Sequence, residues 1–175
     1  MLSGLTALGL APEDIDVVIN SHLHPDHCGC NEFFRKATFL VSGEEIGAAR
    51  ATNSEAMGYI AADWDHPMPI DEVAGQRDVF GDGRIVLLPL PGHTPGSMGA
   101  LTQLERSGTF LLAGDTVSLR ETLDTGIVPR NTWNGDVLTK SLAEIRKIEA
   151  SGATIICSHD LEQWNKLRKG AEFYD

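Results

Sequence analysis

Ser21-His22-Leu23-His24-Pro25-Asp26-His27 places three imidazoles and a carboxylate within six consecutive residues, 22–27. In an extended segment, residues i and i+2 project to the same side, so His22 and His24 can grip one ion. Pro25 then turns the chain, and Asp26 and His27 can face a second ion nearby. Imidazole suits zinc and other first-row metals, and a carboxylate adds a harder ligand that lowers the net charge of a site. The run before it, IDVVIN at 15–20, is apolar and β-branched and reads as a buried strand.

Three other segments repeat that pattern. IVLLPL at 85–90 leads into Pro91-Gly92-His93-Thr94-Pro95-Gly96-Ser97, TFLLA at 109–113 into Gly114-Asp115-Thr116, and ATIIC at 153–157 into Ser158-His159-Asp160. Polar groups at strand ends are where layered α/β proteins place their chemistry, so His93, Asp115 and His159 join the candidate ligands. Two further strands are predicted at 38–41 and 98–104. The apolar spacing of Val137, Leu138, Leu142, Ile145 and Ile148 predicts a helix over 136–150. Asn134 or Asp136 is suited to cap it, and Gly152 stands just past its end. Shorter helices are expected at 43–51 and 2–9. Residues 52–72 read as an irregular loop, and Gly81-Asp82-Gly83 as a hairpin turn. No repeat or linker divides the chain, so residues 1–175 read as one α/β domain.

Composition narrows the function classes. The chain has 175 residues, 14 Lys+Arg against 25 Asp+Glu, and a formal net charge of −11. That balance argues against binding a phosphate backbone, which depends on clustered cations. No apolar run approaches the ~18–20 residues that span a bilayer, and no leader of the secretory kind is evident. The expectation is a cytoplasmic protein with neither a nucleic-acid nor a membrane partner. Cys28, Cys30 and Cys157 are an odd set with C-x-C spacing and read as reduced thiols. His66 reads as a surface residue.

HLHPDH, PGHTPGS, GD and SHD, in that order, resemble the metallo-β-lactamase superfamily. The resemblance implies an αββα sandwich with a dinuclear metal site. It implies that His22, His24 and His93 hold one metal, that Asp26, His27 and His159 hold the other, and that Asp115 bridges them. True β-lactamases typically carry a cysteine where Asp115 stands, which points away from lactam hydrolysis. Several strands usually precede the first ligand in the superfamily, so the chain is expected to lack early N-terminal strands.

A narrower resemblance is to the N-acyl-homoserine lactonases. It rests on Ser21-His22-Leu23-His24, on Cys28-Gly29-Cys30-Asn31, and on Ser158-His159-Asp160-Leu161-Glu162-Gln163. It implies a small-molecule lactone or ester as partner, opened by hydroxide held between two Zn2+ ions, with Mn2+, Fe2+ or Co2+ as alternatives. Asp26 would shuttle the proton and Asp115 would act beside it. Ser118 stands where that group commonly has a tyrosine that touches the substrate, and Cys28 and Cys30 replace small residues. Ser118, Trp64 and Trp133 are the candidate substrate contacts; Ser21, Thr94, Ser158 and Asp160 are candidates for orienting the ligands. The competing readings are a thioester or ester hydrolase of the glyoxalase II type and an inactive metal-binding fragment. A homodimer is left open.

Overall fold

The computed structural model describes residues 2–169 and 172–175. The apolar run before the histidines forms β1 (Val17–Ile19), which pairs in parallel with β2 (Thr38–Ser42), Val17 facing Thr38. On its other side β2 pairs in parallel with β3 (Ile70–Val73), Phe39 facing Ile70. The second sheet runs β4 (Arg77–Asp78), β5 (Ile85–Pro89), β6 (Met98–Leu104), β7 (Gly108–Leu112), β8 (Thr154–Ile156). Its pairings are antiparallel except the last, where β8 returns parallel to β7.

The helices are α1 (Leu2–Ala7), α2 (Pro25–Cys28), α3 (Gly43–Ala49), α4 (Ala61–Trp64), α5 (Arg120–Thr125), α6 (Gly135–Ala150) and α7 (Leu161–Lys166). Alternation along β2 shows how the layers stack, since successive side chains point to opposite faces. Phe39 and Val41 pack outward with Ile46 and Ala49 of α3 and Trp64 of α4. Leu40 points the other way and meets Val73, Leu87 and Met98, so the two sheets face each other. On the far side of the second sheet, Leu111 and Ile155 receive Leu138, Leu142 and Ile145 of α6. The order is helix, sheet, sheet, helix, as the αββα expectation requires. No helix among the described residues is long and apolar enough to cross a membrane.

Asn134 rather than Asp136 caps α6: its side-chain oxygen accepts from the backbone N–H of Asp136 and Val137, both at 3.1 Å. The segment 52–72, expected to be irregular, holds a 3-10 turn (Glu55–Met57), α4 and the start of β3. Asp71 and Glu72 hide that strand, because half of it is acidic and only its contact with β2 makes it β. β4 was also not expected. It ends in the hairpin that was, where the Asp78 carboxylate accepts from the N–H of Gly81 (2.9 Å) and Gly83 (2.7 Å). The one-turn helix α2 begins with Pro25, whose fixed φ suits a first helical position.

Candidate metal centre

Each candidate ligand sits where a strand ends. Asn20 extends the β1 ladder by donating its N–H to Leu40 O (3.1 Å). Its side chain pairs reciprocally with that of Asn31 (3.2 and 3.0 Å) and donates to His27 O (3.3 Å), which closes the loop carrying His22 to His27 on itself. Met98 N donates to Ser21 O (2.8 Å), joining this loop to the second sheet. His24 is the last extended residue before α2, whose single turn carries Asp26 and His27.

His93 follows β5. Gly92 there has φ +140°, and a Cβ on it would lie 2.4 Å from Leu138 Cα, so only glycine lets this loop sit on α6. Asp115 lies in a 3-10 turn (Gly114–Val117) directly after β7. His159 follows β8, and its N–H donates to Ser118 O (2.9 Å), which ties it to the Asp115 turn.

These loops bring all seven expected ligands together. His22, His24 and His93 each offer one atom within 4.8 Å of the others, and so do Asp26, His27 and His159. A third grouping, His22, His27 and Asp115, links the two. Asp115 Oδ1 lies 3.1 Å from Nε2 of both His27 and His159, while Oδ2 lies 3.6 Å from His93 Nε2. One oxygen thus faces each group. Asp26 Oδ2 is 3.4 Å from His27 Nε2 and 3.3 Å from His159 Nε2.

The donor set fits divalent cations. Burial, aided by the neighbouring histidines, pulls His22 down to about 2. Burial likewise takes His93 down to about 4 against the pull of Asp115. Both rings are therefore neutral at neutral pH, with lone pairs free to bind. Burial also pulls on His27, but contact with Asp115 and the charges of Asp115 and Asp26 outweigh it and hold that ring above its ordinary value. Burial raises the Asp115 carboxyl, yet contact with His27 and the Ser158 hydroxyl prevails and holds it well below the usual carboxylate range. His22 Nε2 is buried without a hydrogen-bond partner, a cost of about 1–3 kcal/mol that a coordinated cation would remove.

The residues around the ligands divide into those that touch them and those that do not. Ser158 Oγ donates to Asp115 Oδ1 (2.5 Å), and Ser21 Oγ lies 3.2 Å from His22 Nδ1. Thr94 instead pairs with Ser97 (2.6 Å), and Asp160 caps α7 by accepting from Gln163 N (2.8 Å). Ser118 Oγ is turned to its own Asp115 carbonyl (3.3 Å). Trp133 lines a cleft of about 420 Å³ with His24, Met57, His93 and Arg130. Trp64, expected as a substrate contact, is instead core: α4 carries its ring inward against the β2 side chains, and it is 5% exposed. Cys28 is buried, and burial pushes its thiol up to about 12.

Sequence reasoning missed Glu45. It lies in the first turn of α3, where an acid reads as a solvated residue facing the helix dipole, yet it is completely buried. No local signal marks it: three residues past the end of β2, it reads like any acid in a first helical turn.

The sequence pattern of the Metallo-beta-lactamase superfamily matches residues 1–159. The chain belongs to that superfamily. Among curated relatives it is 32% identical to N-acyl homoserine lactonase AttM of Azorhizobium caulinodans, over 97% of this chain and 67% of the relative. AttM of Agrobacterium fabrum gives the same identity and coverage. Among solved structures, an N-acyl homoserine lactone hydrolase with N-hexanoyl-L-homoserine at its catalytic metal centre superposes with a TM-score of 0.88. That match is 26% identical and covers 99% of this chain and 67% of the other. A B. thuringiensis AiiA variant with N-decanoyl-L-homoserine bound gives 0.86 at 27% identity, over 98% and 66%. The chain therefore spans about two thirds of the length of these superfamily members.

Proposed function

We propose that this chain is a dinuclear-metal hydrolase that opens a lactone ring, with an N-acyl-homoserine lactone as substrate. The observation that carries the reading is the Asp115 carboxylate set between two ligand groups, one oxygen towards each. His22, His24 and His93 would hold one ion, Asp26, His27 and His159 the other, and Asp115 both. Two zinc ions suit this nitrogen-and-carboxylate set. When bound, such a pair supplies Lewis acidity for the ester carbonyl and draws the pKa of water towards neutrality.

The protein's own groups do the rest. Asp115 is kept ionised and fixed by Ser158. Asp26 has a side chain 57% exposed beside His159, placed to carry a proton to the alkoxide that leaves when the ring opens. The cleft between Met57 and Trp133 opens beside His24 and His93 and offers the acyl arm an apolar wall. The relatives named as lactonases support this substrate class.

A pH-stat assay of the zinc-loaded protein on N-hexanoyl-homoserine lactone tests this. Ring opening releases one proton per molecule; the release is expected to stop on chelation and in Asp115→Ala. Lack of hydrolysis across acyl chains of different lengths would sink the reading.

A further inference from the structure

Glu45 is 0% exposed, and among the described residues no Lys or Arg pairs with it. A carboxylate taken wholly out of water needs compensating donors. Two backbone N–H groups, from two different loops, donate to it. Oε1 accepts from Leu23 N at 3.0 Å, and Oε2 accepts from Gly96 N at 3.0 Å. Leu23 stands between His22 and His24, and Gly96 follows His93 by three residues. One side chain therefore ties together the two loops that carry the three-histidine group.

The packing enforces that tie. A Cβ on Gly96 would lie 2.2 Å from Glu45 N and 2.5 Å from Glu45 Cβ, so the His93 loop rests directly on the first turn of α3. A carboxylate has two equivalent acceptor oxygens and can serve both N–H groups. Glutamine has one acceptor and would turn an NH2 towards the other N–H. Among the described residues, Asp26, His27 and His159 donate no hydrogen bond to Glu45.

We infer that Glu45 is a positioning residue for the first metal: its buried carboxylate sets the spacing of the His22–His24 and His93 loops, and the second ligand group does not depend on it. The inference rests on the proposal that the two groups hold metal.

The test is a titration of the full, metal-depleted chain with Co2+, followed by d–d absorption, with far-UV circular dichroism as the check on folding. Wild type is expected to fill two sites, and His93→Ala identifies the step that belongs to the three-histidine group. Folded Glu45→Gln should weaken that step about 10–100-fold, the range usual for groups that orient metal ligands, and shift its absorption. The other step should be unchanged. Both steps unaltered, or both weakened alike, would overturn the inference. If Glu45→Gln does not fold, Glu45→Asp, charged but one methylene short, is read the same way. Failure of both variants to fold makes Glu45 a determinant of the fold and also overturns it. A wild type that takes up no metal overturns the metal proposal itself, an outcome visible before any variant is made.

Discussion

The two ligand groups share Asp115 but differ in enclosure. His22 is fully buried and His93 is 4% exposed, and Glu45 accepts from a backbone N–H that follows each of them, Leu23 and Gly96. In the second group the side chains of Asp26 and His159 are 57% and 47% exposed, and only His27 is sheltered. Closed sites retain metal and open sites admit substrate and water. If both groups hold metal as proposed, the contrast would give retention to the first group and exchange of water and proton to the second.

The largest expected effect comes from removing a ligand on each side. His22→Ala should lose the first ion on dialysis and lower lactone hydrolysis by more than about 100-fold, beyond the range seen when only an orienting group is removed. His159→Ala should keep that first ion while activity falls. Metal analysis of both variants decides it, and a His159→Ala protein stripped of both ions would break the contrast.

The next effect concerns pH in the metal-free protein. His22 and His93 are held below their ordinary value of 6.5, to about 2 and about 4. The unfolded chain takes up protons below pH 6.5 that the folded chain refuses, so stability falls as pH falls. The loss is roughly 2 kcal/mol per histidine by pH 5. His27, held above its ordinary value, contributes stability that is complete below pH 6.5 and lost only as pH rises. Between pH 7 and pH 5 that contribution is still being completed, so it offsets part of the loss from His22 and His93. Urea unfolding at pH 7 and pH 5 measures the difference, and equal midpoints would show the first group to be less enclosed than described.

The smallest effect is chemical and leaves activity intact. Cys28 and Cys157 are buried and Cys30 is exposed; burial pushes the first two thiols up to about 12 and about 11. One thiol of the three should react with an aromatic disulfide at pH 8, and all three after denaturation. A fast reaction at Cys28 would mean that the loop beneath His27 opens.

The site was legible in the sequence because its chemistry is carried by residue type. Each histidine or aspartate that the structure gathers follows an apolar run that becomes a strand. Strands β5 to β7 were legible for the same reason, as was α6 from its period. β3 was not, because Asp71 and Glu72 interrupt it and its identity comes from β2. Glu45 was not, because nothing local separates a solvated helix acid from a buried one. Only the approach of Gly96, 51 residues away, makes that distinction. Trp64 was misplaced for a related reason: an aromatic beside a turn carries no information about which way the turn faces.

His22, His24, Asp26 and His27 are neighbours in sequence, whereas His93, Asp115 and His159 must be delivered by β5, β7 and β8. An unfolded chain already offers the first four as a loose chelator. A bound metal would stabilise the fold only by the margin between the finished site and that hexapeptide, so metal supplied early in refolding would be drawn to the unfolded chain as well. The chelating segment becomes the full seven-residue cluster only when β5, β7 and β8 have brought His93, Asp115 and His159 to it.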